Sequence, residues 1–117
     1  MIRTIKKNDN DPSLEAQLYL KAVNLYDEEY KYLASLLNSF AWRMTEIGQL
    51  LPEALEKVNH ALEIKEDLKI LDTKAEVLWK LGRVEEAIEV INECIQGNPE
   101  YQHYQDQKAK FLETRAL

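Results

Sequence analysis

The sequence predicts an all-α fold in which antiparallel helical hairpins stack on one another. Only three glycines and three prolines occur among 117 residues, so little of the chain can form turns or linkers. Apolar residues recur at helical steps of three and four along most of the chain. Small residues also repeat at intervals of about 34 positions, and a repeat of this length is typical of stacked helical units.

Composition fits one globular domain and argues against nucleic acid as a partner. The chain is 45% hydrophobic and 31% charged, which suits a single domain with its own core. Its formal charge of −6 is concentrated in residues 46–100, where thirteen Asp and Glu face six Lys and Arg. Such a surface would repel phosphate backbones, which proteins bind by replacing counterions with Lys and Arg.

Neither a disulfide, a metal site nor a membrane segment is predicted. Cys94 is the only cysteine, no cluster of histidines accompanies it, and it fits a small buried residue. The opening "MIRTIKKNDND" is too polar for a signal peptide, and no apolar run approaches the ~20 residues that span a membrane. We expect a cytoplasmic location by default, although a piece of a longer exported protein would look the same. No cofactor is expected.

The first part of the domain is predicted to contain one or two helices. Residues 1–10 lack periodicity and are expected to form a flexible arm, and the domain spans residues 11–117. Asp11 and Pro12 mark a helix start. From there an apolar stripe continues to Ile47, which one long helix would explain. A capping box formed by Asn24 and Asp27 favours a break near residues 24–28, and thus an N-terminal helical region over 11–33.

The later breaks are marked by glycine and proline. Gly48 and Gly82 each end a helix, and Pro52 begins one. A short polar connection, "EIKEDLK" at residues 63–69, separates two hairpins. Asn98 and Pro99 are predicted to cap and start a last helix over residues 99–116, whose single apolar face suits a terminal element. That face consists of Tyr101, Tyr104, Lys108, Phe111 and Leu112.

Two units of helix, glycine turn and helix repeat over residues 34–66 and 67–99. Gly48 and Gly82 are 34 positions apart, as are Ala41 and Ala75. Two further pairs are 33 apart, namely Ala54 with Ala87 and Ala61 with Cys94. Small residues at these positions let paired helices approach closely where they cross.

These two units resemble tetratricopeptide repeats over about residues 34–100. The second unit places small residues, the glycine turn and the final proline in register, at Ala75, Gly82, Ala87, Cys94 and Pro99. The first unit matches at Leu37, Phe40, Ala41, Gly48, Ala54 and Ala61. It departs from the pattern in the turn "GQLLPEA", which has one extra residue, and at Glu66, where proline is usual. Lys74 stands where the family usually has a large apolar residue. The resemblance implies a short right-handed solenoid, closed by a terminal capping helix.

No residues form a catalytic constellation, so we do not expect an enzyme. His60 and His103 fall in different helices with no motif around either, and are expected to lie on the surface without partners. Acidic pairs such as Glu85 and Glu86 lie near helix starts, where negative charge stabilises the helix dipole. No glycine-rich phosphate loop is present.

The resemblance implies a concave face formed by the first helix of each repeat. The candidate peptide-binding residues on it are Asn38, Trp42, Lys69, Asp72, Thr73, Glu76, Trp79 and Lys80. Either tryptophan could be a binding hot spot or a core residue. Acidic Asp72 and Glu76 would favour a peptide with an apolar anchor and basic residues. Some family members hold a C-terminal carboxylate with Asn, Lys and Arg, but only Asn38 matches that set here.

The sequence is consistent with three hypotheses about function. The leading one is a non-catalytic module that binds a protein or peptide in the groove. In the second, the chain forms a homodimer through the stripe from Tyr19 to Ile47, since two repeats alone bury limited area. In the third, the chain is a C-terminal tail domain of a larger protein.

Overall fold

The computed structural model describes residues 11–117, which form six α-helices and no strand. The predicted all-α class is confirmed for this part of the chain, while the predicted arm at residues 1–10 lies outside it. The helices are α1 (Pro12–Val23), α2 (Leu33–Ile47), α3 (Leu51–Ile64), α4 (Leu68–Lys80), α5 (Val84–Gly97) and α6 (Gln102–Ala116). None of these helices combines the length and apolar character needed to cross a membrane.

Helix α1 begins where its cap predicts. The Asp11 carboxylate accepts hydrogen bonds from the backbone N–H groups of Ser13 and Leu14, at 3.0 and 3.2 Å. Two of the four donors that a helix start leaves free are thereby satisfied. On the inner side of α1, Ala16 and Val23 are buried in a cluster with residues of α2.

The chain breaks after α1 as expected, but the predicted capping box is wrong. Asn24 ends α1, with its N–H bonded to the Leu20 carbonyl, and its side chain accepts a hydrogen bond from Lys57 of α3. Asp27 instead accepts from the N–H of Glu29 within a run of turns. Because α2 starts only at Leu33, two tyrosines of the predicted stripe, Tyr26 and Tyr30, are exposed rather than in the core.

Two hairpins follow, each turned by a glycine as predicted. Gly48 and Gly82 have φ angles of 66° and 84°, a left-handed conformation that side chains disfavour. The first turn contains the extra residue noted in the sequence, and there Leu50 also adopts a positive φ, of 47°. A leucine in this conformation carries backbone strain.

The hairpins pack side by side, and the small residues of the repeat are buried in the core. Helix α4 contacts α3 and α2, and all six small residues at the predicted crossings are fully buried: Ala41, Ala54, Ala61, Ala75, Ala87 and Cys94. The core has two parts. One is formed by α1, α2 and α3 with Ile70 and Val77, the other by α4, α5 and α6, and Leu55 packs against both.

The last helix starts later than predicted and is capped differently. Asn98 ends α5 by donating its N–H to the Cys94 carbonyl, so it is not the N-cap of α6, and Pro99 lies in the connecting turn. Helix α6 begins at Gln102 and has no side-chain cap. It packs on α5 and buries Tyr104 and Phe111, with Gln107 rather than Lys108 on its inner face.

Candidate functional site

Two adjoining cavities form a trough along α2, α4 and the start of α6. One, of about 230 Å³, is lined by Asn38, Trp42, Lys69, Asp72, Thr73, Tyr101, His103 and Tyr104. The other, of about 340 Å³, is lined by Ser35, Asn38, Ser39, Lys65, Asp67, Lys69 and Ile70. They share Asn38 and Lys69, and we call the two together the inner trough. Five of the eight residues predicted for peptide binding therefore lie around one cavity.

Helical spacing places these side chains in rows. Asn38 and Trp42 are one turn apart on α2, and Lys69 and Thr73 are one turn apart on α4. Trp42 is half-buried, so it is neither a core residue nor fully exposed to solvent. Asp67 caps α4 by accepting from the N–H of Lys69 at 2.7 Å, which fixes the start of the helix at the edge of the trough.

Asn38 has a hydrogen-bonding atom without a partner inside the trough. Its side-chain oxygen Oδ1 is buried and accepts no hydrogen bond, alone among the buried side-chain nitrogen and oxygen atoms of residues 11–117. Leaving a buried acceptor unpaired costs on the order of 1–3 kcal/mol. Native proteins pair nearly all such groups, so the exception at Asn38 calls for an explanation.

Asp72 lines the trough, but its carboxylate is already bound. His103 Nε2 lies 2.8 Å from one oxygen, and the Gln107 amide donates to the other at 3.4 Å. Burial raises the pKa of the Asp72 carboxyl above its ordinary value, and the hydrogen bond from His103 opposes this rise. The expectation that His103 lacks a partner is wrong, as it is for His60, which contacts Glu28.

Helix α6 contacts Glu76 and Trp79 of the predicted face, while Lys80 is exposed. The Lys110 ammonium lies 2.6 and 2.9 Å from the Glu76 carboxylate oxygens, and Trp79 Nε1 donates to the Thr114 hydroxyl at 2.9 Å. Phe111 packs against the Trp79 ring, with 5.9 Å between ring centroids. The structure therefore does not bring Glu76, Trp79 or Lys80 into the inner trough.

Sequence reasoning missed the contribution of α6 to this site. Tyr101, His103 and Tyr104 line the trough, although they were assigned to a cap or to the surface. A signal was present: His103, Gln107, Lys110 and Thr114 are spaced by four, three and four residues, so they form one polar stripe. Such a stripe matches the two carboxylates that α4 presents one turn apart.

Comparison with known proteins adds no assignment. No family model matches the chain, and no curated protein or solved structure matches it either. Within residues 11–117 no group of three or more His, Cys, Asp or Glu side chains could hold a metal ion. Burial raises the pKa of the Cys94 thiol to about 12, so at neutral pH this buried sulfur is protonated and a poor nucleophile.

Proposed function

We propose that this chain is a non-catalytic interaction module of the tetratricopeptide-repeat type, which binds an extended peptide segment in the inner trough. In this proposal α2 with α3 and α4 with α5 are two repeats of a short right-handed solenoid, and α6 is its cap. The 33- and 34-residue intervals between buried small residues support the repeat assignment. A trough along the first helices of the repeats is where a ligand would contact both units.

The observation that carries the proposal is the unpaired Oδ1 of Asn38. Asn38 lines the open trough, so a rotation of its side chain would bring Oδ1 within reach of a ligand donor, and a main-chain N–H of an extended peptide supplies one at every residue. Trp42 beside it offers an aromatic surface for an apolar side chain.

The charges of the trough favour an acidic or neutral peptide over the basic one suggested by the sequence. Asp72 and Glu76 were expected to select basic residues, but they are paired with His103 and Lys110 of α6. Lys69 is exposed and forms no ion pair among the described residues. Its ammonium is therefore free to meet a carboxylate or a peptide carbonyl.

Selection from a displayed library of random peptides, with the full chain immobilised, tests the proposal. We expect selected peptides to change the emission of Trp42 in a Trp79→Phe background. Asn38→Leu should weaken their binding tenfold or more, because leucine has a similar size but offers no acceptor. A tenfold loss corresponds to about 1.4 kcal/mol of binding free energy. Asn92→Leu, the same change at a half-buried position of α5 outside the trough, is the matched control. Selected peptides that bind Asn38→Leu as well as the parent would refute the site.

A second candidate function, self-association, is supported by the outer face of α1. Leu14 and Leu18 are one turn apart on the side away from Ala16 and Val23, and they are 40% and 57% exposed. Leu25, in the turn after the helix, is 84% exposed. A helix that is apolar on both sides is usually covered on both.

Light scattering tests this candidate. Leu18→Glu should convert a dimer to a monomer, whereas Gln17→Glu, with the same added charge on an exposed neighbour, should not. Leu18 is a better target than Tyr19, which packs against Phe40 in the core. A parent chain that is monomeric at high concentration would exclude the dimer.

A further inference from the structure

A separate groove lies between α3 and α4, on the other side of α4 from the inner trough. Its volume is about 510 Å³, and it is lined by Asn59, Leu62, Glu63, Glu66, Leu71 and Lys74. Leu71 and Lys74 project from α4 on the side away from Lys69, because residues two and five apart are separated by about 160° and 140° around a helix. The two sites therefore have no lining residue in common.

The apolar part of this groove lies where the two parts of the core meet. Leu62 packs against the cluster formed by α1, α2 and α3, and Leu71 against the cluster formed by α4, α5 and α6. Both leucines are only partly buried, so each has one side in the core and another toward the groove. Between them Lys74 replaces the large apolar residue that the resemblance leads one to expect, so an apolar contact is missing from this side of α4.

The charges around the groove are unbalanced. Neither Glu63 nor Glu66 forms an ion pair among the described residues. Lys74 interacts with a different carboxyl, that of Glu86. The pKa of Glu86 is lowered mainly by its hydrogen bond from Arg83 and further by the charge of Lys74. Two glutamates and one lysine line the groove, so its lining carries a net negative charge that attracts cations.

We propose that this groove is a second docking surface, which takes a leucine-sized apolar side chain flanked by Lys or Arg in a segment of a basic partner protein. The apolar side chain would fill the space between Leu62 and Leu71 and supply most of the affinity. The flanking cations would meet Glu63 and Glu66, which speeds association and selects basic segments. The net charge of −6 makes a second copy of this chain a poor occupant of an acidic groove.

The test uses three short capped peptides and backbone amide shifts of the full chain measured by NMR. Acetyl-Lys-Leu-Lys-amide should give saturable shifts at Leu62, Glu63 and Leu71, at millimolar concentrations suited to so small a probe. Acetyl-Lys-Ser-Lys-amide lacks the anchor and acetyl-Glu-Leu-Glu-amide reverses the charge, so both should bind at least threefold more weakly. Equal binding of all three, or no saturable shift, would overturn the proposal.

Variants at exposed positions separate this surface from others. Glu63→Gln with Glu66→Gln should weaken the Lys-Leu-Lys probe about threefold to tenfold and reduce the salt dependence of its binding. Glu89→Gln with Glu113→Gln makes the same change of net charge away from the groove and should have little effect.

Asn38→Leu should leave the titration unchanged, so failure here is distinguishable from failure of the trough. Shifts confined to Asn38 and Thr73, or an equal loss in both double variants, would contradict a site between α3 and α4.

Discussion

Replacing Asn38 with leucine should make the free protein more stable while it removes a ligand contact. The unpaired Oδ1 costs on the order of 1–3 kcal/mol in the folded state, and leucine has a similar size with no polar atom. Leucine also has a higher helix propensity than asparagine, by about 0.5 kcal/mol. The free energy of unfolding should therefore rise by about 1–3 kcal/mol, which for a chain of this size raises Tm by roughly 4 °C per kcal/mol.

Thermal and urea unfolding followed by circular dichroism measure this change. Ser39→Leu is the control, because Ser39 is exposed on the same helix and gains only the helix propensity. We expect Asn38→Leu to exceed the control by at least 1 kcal/mol. If Asn38→Leu is less stable than the parent, the oxygen has a partner in solution, and the reason for assigning a ligand donor to it is lost.

Three further predictions concern the core and the attachment of α6. Ala87→Leu should overpack a fully buried helix crossing and cost about 1–3 kcal/mol, and an unchanged thermal melt would contradict the repeat packing. Lys110→Met should leave Glu76 buried without its cation and cost roughly 3 kcal/mol, whereas Glu76→Leu in the same chain should restore most of the loss in urea unfolding. Cys94, with its pKa raised to about 12, should react with a thiol reagent at pH 8 only as fast as the chain unfolds, so rapid labelling of folded protein would refute its burial.

Most of the helical hairpins could be predicted from the sequence because their signals are local. A glycine at a turn, an aspartate with proline at a helix start, and small residues at a fixed interval each act through the neighbouring backbone. Gly48, Gly82 and Asp11 therefore behave as expected. The same local rules fail at Asn24, whose side chain bonds to Lys57 of a later helix instead of capping its own.

The candidate site was harder to predict, because its key contacts join residues more than 30 positions apart. When α4 is considered alone, Asp72 and Glu76 are expected to be exposed charges on the wall of a groove. Their burial, at 8% and 7% exposure, follows only from partners in α6. Trp42 and Thr73 needed no such partner, since the helical spacing of α2 and α4 alone places them on one face.

The pairing of α6 with α4 has a consequence for folding cooperativity. Asp72 and Glu76 on α4 have their side-chain partners on the last helix alone, so a chain ending at Asn98 would return both carboxylates to water and would uncover the Trp79 ring against which Phe111 packs. The second hairpin therefore needs α6 to cover its apolar surface. Any hairpin inserted ahead of α6 would have to present its own polar stripe to α4, which limits how this chain could be lengthened by duplication.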